Sequence, residues 1–446
     1  MKNYIGLDIG TTSVSAVRVA GGRVEQSVTL SGSPFLCDYA RTQDADIAVQ
    51  LALSAFSQLK NEETAAVGVT GQMHGILYVD KEGNAISPLY TWQNPYGNEL
   101  FAEGESYASR ISALTSYKMA SGYGLTTLFY HTVKGEVPQG AAKICTVHDY
   151  LGMKLAGNCE PVTHPSDAAS LGAFDLASLC FDRPALNKAG VNCDLLPTVQ
   201  KDGFVGKTAE GIPVTVAIGD NQAAVYGALG NQAGVSVNVG TGSQVSVPLT
   251  SLPEQAECEI RPYLFGAYLG VDCPLCGGRS YALLRDFFAQ TLAAFGAETS
   301  GDLYTPLNAL LEKGEEKYLS SAPCFTPLFC GTRTSPKSRA TIEGISDKNF
   351  TPEAFAFALV EGMAQELWEG YEKIAGGLSV AHLAASGNGI RKNPVLARAL
   401  QRKFGAPLTL PEGKEEAAFG AAKYAFALKE NAYDLCEKNP IAANAL

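Results

Sequence analysis

Gly6-Leu7-Asp8-Ile9-Gly10-Thr11-Thr12-Ser13 closes the first apolar stretch of the chain, and the same pattern returns 230 residues later as Ser236-Val237-Asn238-Val239-Gly240-Thr241-Gly242-Ser243. Each copy reads as an apolar strand with one polar residue near its end, then a glycine–threonine turn closed by serine. Eight matching residues in a glycine-rich chain can arise by chance. Their separation by half the chain instead predicts two related lobes, each opening with a hairpin whose turn faces the other lobe.

Working outward, residues 14–19 supply a second strand, Gly21-Gly22 a turn and residues 23–30 a third strand. Residues 46–59 carry apolar side chains at helical spacing, and 65–69 read as a buried strand. Strands followed by helices predict an α/β fold. The lobe boundary falls in the glycine-containing stretch 227–234, which gives domains 1–230 and 231–446. Three further helices are expected over 353–374, 393–404 and 415–428.

The length of 446 residues excludes a single small binding module. Acidic residues outnumber basic ones, 45 to 34, and a net charge of −11 argues against a nucleic-acid or anionic-membrane partner. With 46% hydrophobic and 18% charged residues there is material for large cores and little for extended disorder. No run approaches the ~18 apolar residues of a membrane span, and Asp8 stands where a secretory signal would be apolar, so the expected location is cytoplasmic. The odd count of 11 cysteines, several in apolar or glycine-rich settings (Cys145, Cys180, Cys330), predicts buried, reduced thiols. Cys273-Pro274-Leu275-Cys276 has no second pair, and the five histidines are scattered, which speaks against zinc.

A turn of Gly, Thr and Ser offers backbone N–H groups and hydroxyls without bulk, as a phosphate requires. Two such turns could clamp a triphosphate, with Asp8 holding Mg²⁺ directly or through water. Taken singly, each is more often a plain hairpin. The commoner nucleotide motifs are absent: Gly203-Phe204-Val205-Gly206-Lys207-Thr208 fails the phosphate-loop spacing and is read as an exposed turn, and Gly387-Asn388-Gly389 lacks the third glycine of a dinucleotide fingerprint. Ile218-Gly219-Asp220-Asn221-Gln222 lies at a strand-to-helix junction, where Asp220 is either a helix N-cap or a general base. Gly71-Gln72-Met73-His74-Gly75 follows the strand at 65–69. Gln72 and His74 could bond polyol hydroxyls, Met73 could pack on the carbon chain, and Trp92 could floor the site. A histidine that merely caps the core is the plainer reading.

Together these residues resemble the FGGY carbohydrate kinases, of the actin/Hsp70/sugar-kinase superfamily, over essentially the whole chain. Asp8-Ile9-Gly10-Thr11-Thr12-Ser13 looks like the family's first phosphate motif and Gly240-Thr241-Gly242-Ser243 its second. Gly71 to Gly75 looks like the sugar segment, Asp149-Tyr150-Leu151 the domain marker, Gly219 to Gln222 the catalytic base, and Ala385-Ser386-Gly387-Asn388-Gly389 with Asn393-Pro394 the adenosine segment. Met119 to Gly124, Val147 to Tyr150, Asp167 to Ser170 and Arg261-Pro262-Tyr263 are most similar to members acting on sedoheptulose.

The resemblance implies two ribonuclease-H-like lobes around a central cleft, the first binding sugar and carrying the base, the second binding ATP. It implies Asp220 as base and Asp8 as Mg²⁺ ligand. Gln72, Met73, His74, Trp92, Asn94, Asp220 and Asn221 would contact the sugar. Gly10, Thr11, Thr12, Ser13, Gly240, Thr241, Gly242, Gly387, Asn388 and Asn393 would contact ATP. The implied reaction is γ-phosphoryl transfer to a primary hydroxyl of a ketose, sedoheptulose first, with xylulose, another pentulose or a polyol as alternatives, and a non-catalytic nucleotide-dependent scaffold as the reading from another class. Expected partners are a small sugar and, optionally, a second copy in a homodimer. Relatives carry W-x-D-x-R where this chain has Trp92-Gln93-Asn94-Pro95-Tyr96, so an amide replaces a carboxylate and Tyr96 a basic residue beside the sugar.

Overall fold

The structure is a computed structural model describing residues 1–297, 301–332, 335–376, 378–411, 413 and 415–432. Its first sheet opens with an antiparallel meander of β1 (Asn3–Ile9), β2 (Ser13–Ala20) and β3 (Arg23–Ser31). On its other side β1 pairs in parallel with Thr64–Gly71, and the sheet continues through Pro213–Thr215 to an edge strand, Phe204–Lys207. Alternation along β1 decides what lies on each face. Ile5, Leu7 and Ile9 enter a core with Val67, Val69 and the apolar side of α1 (Ala45–Leu59), while Tyr4, Gly6 and Asp8 share the opposite face.

The second sheet repeats this plan. Val235–Val239 pairs antiparallel with Ser243–Leu249 and parallel with Leu383–Ser386, in the order Tyr268–Asp272, Ser243–Leu249, Val235–Val239, Leu383–Ser386, Leu408–Thr409. The repeat of eight residues therefore marks a repeated hairpin, each with a parallel strand added to its first member. The fold is α/β with two such sheets.

The chain divides into two compact units, one formed by residues 1–231, 261–268 and the helix Glu416–Glu430, the other by 232–260 and 269–411. The closing helix packs in the first unit. The reason is a set of glycines that let backbones touch. A Cβ on Gly6 would stand 1.8 Å from the Ala418 carbonyl oxygen, one on Gly68 1.9 Å from that of Ala421, and one on Gly420 1.7 Å from that of Ala223. Ala418, Ala422 and Ala425 complete this layer against Tyr4, Val17, Val19 and Ala66.

Two expectations need correction. Residues 203–208 are no exposed turn: Phe204 and Val205 are half buried, Val205 packs against the core, and the segment is a paired edge strand. All described cysteines are free, as expected, but only Cys145, Cys193 and Cys276 are buried, while Cys180 is exposed. Among the described residues no helix is long and apolar enough to cross a membrane.

Gly420→Ala separates two opposed effects. Helix propensity alone would make alanine stabilising by up to about 1 kcal/mol. The 1.7 Å clash has no flexible side chain to absorb it, so overpacking should win and lower stability by about 1–3 kcal/mol. A urea midpoint at or above that of the parent protein would contradict this packing.

Candidate active site

Three parallel strand ends build the site in the first unit. Asp8 lies opposite Thr70 and Ile9 opposite Gly71, while Ile218 and Gly219 stand opposite Thr70 and Gly71 from the other side. The segments leaving these ends, Gly10 to Ser13, Gln72 to Gly75 and Asp220-Asn221, therefore emerge side by side, where open α/β sheets place ligands. The Thr70 hydroxyl donates to the Ile218 carbonyl at 2.7 Å, and the Gln72 N–H donates to the Ile9 carbonyl at 2.8 Å. Gly219 is the N-cap of the helix Asp220–Leu229, so Asp220 is its first residue and not the cap. Its Oδ1 accepts the Asn221 N–H at 2.7 Å.

Burial raises the Asp8 carboxyl to about 7, with the charge of Asp220 pushing the same way. Asp220 is itself raised to about 6 by burial, with His148 and Arg261 restraining the rise. His148 is fully buried, which lowers its basicity, yet Asp167 at 2.8 Å from its Nε2 holds it raised at about 9. Asp167 also accepts the Thr146 hydroxyl at 2.9 Å and is kept low by His148, whereas burial raises the neighbouring Asp149. Sequence reading treated His148, Asp149 and Asp167 only as resemblance markers. The available signal was a His-Asp pair directly after the apolar strand Lys143–Cys145.

Asp8 Oδ1 is a buried oxygen with no hydrogen-bond partner, facing the field of a second carboxylate, and such an atom suits a cation. Among the described residues no group of three or more His, Cys, Asp or Glu is gathered for a metal. Mg²⁺ fits this sparse donor set, because it keeps water and phosphate oxygens and takes only one or two carboxylates.

The residues expected around the sugar fall into two groups. Gln72 is buried, its Nε2 donating to Gln43 Oε1 at 3.1 Å and its Oε1 accepting from the Thr11 hydroxyl at 3.2 Å. Asn94 is also buried, donating to the Ala40 carbonyl at 2.8 Å and accepting the Tyr96 N–H at 3.1 Å. Both amides are engaged inside the protein and brace the loops that carry the site. Of the others, Asn221 touches a site carboxylate, its N–H donating to Asp220 Oδ1 at 2.7 Å. Met73 packs so tightly on Gly219 that a Cβ there would lie 2.7 Å from its sulfur. His74 adopts a left-handed backbone with φ of 72°, held by its N–H to Ser170 Oγ at 3.1 Å, its Nδ1 to the Ser170 carbonyl at 2.7 Å and stacking on Tyr123. Because a carbonyl only accepts, Nδ1 carries the hydrogen. Arg261 donates to Asn221 Oδ1 at 3.1 Å. The Trp92 ring is exposed and ties its Nε1–H to the Thr11 hydroxyl at 2.9 Å.

In the second unit a cavity of about 1150 Å³ gathers Gly240, Thr241, Gly387, Asn388 and Asn393, with Tyr281 on its wall. Gly387 must be glycine: its φ is 86° and a Cβ would fall 2.4 Å from the Val239 carbonyl oxygen. Asn393 caps the helix Pro394–Phe404 by accepting the Leu396 N–H at 3.0 Å, so its side chain is partly committed. Gly242 is not on the cavity wall. It backs onto Gly277, whose Cβ would lie 2.3 Å from the Gly242 oxygen.

Residues 3–227 match the N-terminal domain of the FGGY family of carbohydrate kinases, and residues 236–428 match its C-terminal domain. Sedoheptulokinase from Mus musculus is 27% identical over 94% of this chain and 96% of its own length. Among solved structures, xylulose kinase from Rhodospirillum rubrum superposes with a TM-score of 0.79 at 20% identity, covering 99% of this chain and 95% of that one. Plasmodium falciparum glycerol kinase with ADP gives 0.75 at 18% identity, covering 97% and 90%.

The raised Asp220 carboxyl makes a signed stability prediction. Below about pH 4 the group is protonated in both folded and unfolded chains; above about 6 the folded protein carries an ionised, buried carboxylate. Without divalent cations, Asp220→Asn should therefore unfold at higher urea than the parent protein at pH 8, by roughly 1–3 kcal/mol. The gain should fade through pH 6 and vanish near pH 4, and a gain that grew on acidification would refute the assigned shift.

Proposed function

From membership of the FGGY family of carbohydrate kinases, to which this chain belongs as an ATP-dependent sugar kinase, we propose that it phosphorylates a primary hydroxyl of a ketose, sedoheptulose being the acceptor. The observation that carries the chemistry is the placement of Asp220 and Asp8 at neighbouring strand ends, each with a carboxyl raised toward neutrality. The choice of sugar is supported by full-length similarity to sedoheptulokinase.

Asp220 accepts the proton of the attacking hydroxyl, and a carboxyl raised to about 6 is a stronger base than an ordinary aspartate while still ionised at pH 7. Asp8, whose buried Oδ1 has no hydrogen-bond partner, would hold Mg²⁺, and the ion when bound would neutralise phosphate charge. Gly240 and Thr241 offer backbone N–H groups to phosphate, and the Gly387-Asn388-Gly389 wall with Tyr281 receives the nucleoside. Met73 packs along the sugar's carbon chain, and His74 and Asn221 meet its hydroxyls. Gln72 and Asn94 shape the site by bracing it. With its amide turned to Ala40, Asn94 does not take over the contact of the acidic residue found in relatives.

ADP release with Mg-ATP and a panel of sedoheptulose, xylulose, ribulose, fructose and glycerol tests this reading, and preference for another sugar would move the acceptor while keeping the mechanism. Asp220→Ala should lower kcat by about 10²- to 10⁴-fold with nucleotide binding retained. The parent kcat/KM should fall on acidification below about pH 6. Near-normal turnover of the variant would remove Asp220 from the role. Asp8→Asn should raise the Mg²⁺ concentration needed for half-maximal rate, and an unchanged requirement would remove Asp8 as the ligand.

A further inference from the structure

Behind the second glycine–threonine turn lie two thiols that no step above uses. Cys330 Sγ is 3.8 Å from Cys276 Sγ, both within the second unit. Cys276 is buried, and Cys330 sits half-buried in the turn Leu328–Gly331. A cavity of about 740 Å³ lined by Cys273, Pro274, Leu275, Leu328 and Gly331 borders both segments.

The segment around Cys276 is fastened to the turn through the backbone, with Cys273 Sγ also donating to Gln244 Oε1 at 3.4 Å. Ser243 N–H donates to the Pro274 carbonyl at 3.3 Å, Gly278 N–H to that of Gly240 at 2.9 Å, and Arg279 N–H to that of Thr241 at 3.0 Å. Gly277 leaves no space for a Cβ against Gly242. A shift at Cys276 is therefore passed directly to the N–H groups of Gly240 to Ser243.

We propose that Cys276 and Cys330 form a reversible disulfide site, oxidised by hydroperoxides, that displaces the Gly240–Ser243 turn and weakens ATP binding. The half-buried Cys330 sulfur attacks the peroxide, its S–O bond forming as the O–O bond breaks, and the thiol proton passes to the departing hydroxide, giving a sulfenic acid and water. The Cys276 sulfur then attacks the Cys330 sulfur, releasing a second water. Two thiols and one H₂O₂ thus give one disulfide and two waters. Burial pushes the Cys276 thiol up, which makes it the poorer first nucleophile and the natural resolving partner. Bond formation requires the sulfurs to approach by about 1.8 Å, a movement the fastened backbone transmits.

The bond stands apart from the kinase reading, whereas its effect on ATP rests on it, and the two are measured separately. The full chain is treated with hydrogen peroxide, mapped as peptides without reduction and assayed for ATP KM. The expected result is a Cys276–Cys330 linked peptide and at least a fivefold rise in ATP KM, reversed by dithiothreitol and absent in Cys330→Ser and Cys330→Ala. No linked peptide under conditions that oxidise the exposed Cys37 and Cys180 overturns the site. A linked peptide with unchanged ATP KM overturns the coupling to the turn. An untreated protein that transfers phosphate to no acceptor overturns the proposed function and leaves the disulfide to be judged by the peptide map.

Discussion

The strand end that carries Asp8 and the helix that begins with Asp220 depend on backbone touching backbone across the closing helix. Glycines at 6, 68, 227 and 420 remove the side chains that would otherwise hold the helix Glu416–Glu430 away from the sheet and from the helix Asp220–Leu229. The same helix thus presses on β1, which carries Asp8, and on the helix that begins with Asp220. Two residues more than 200 positions apart in sequence are held by one rigid brace, and close packing of this kind yields little to thermal motion.

That rigidity is needed because the site is electrostatically uncomfortable. Two carboxylates share a poorly solvated region, and each is pushed toward its neutral form. The fully buried His148 supplies a compensating positive charge, itself fixed by Asp167 and Thr146. A cation and a substrate hydroxyl relieve the remaining imbalance, so the interactions that are unfavourable in the empty protein become favourable with the reactants present.

The hairpins, the buried strand at 65–69 and the strand-end position of Asp220 were legible in the sequence because each depends on local pattern: a Gly-Thr turn, an apolar run, a strand ending in Gly-Asp. Partner choice was not legible. The alanine-rich pattern of 416–430 announces a helix but not the sheet it covers, and only the glycines on both sides reveal that, once their contacts are known. Gln72 and Asn94 look like ligands for a sugar because amides are versatile, yet Gln43, Thr11 and Ala40, all distant in sequence, and the nearby Tyr96 N–H engage them. The His148–Asp167 pair was missed because the local His148-Asp149 signal does not show that the partner is Asp167 or that both groups are fully buried.

The closing helix also imposes an order on the molecule's making. Residues 232–260 and 269–411 lie between the first unit's sheet and its closing helix, so on the ribosome that sheet waits, uncovered on the Gly6–Gly68 face, while about 180 further residues are added. At translation rates of roughly 5–20 residues per second that delay lasts on the order of ten to forty seconds. The second unit has no such wait and can fold as it emerges. The half that starts first is thus the half that finishes last, and its apolar face is the stretch a chaperone would have most time to meet.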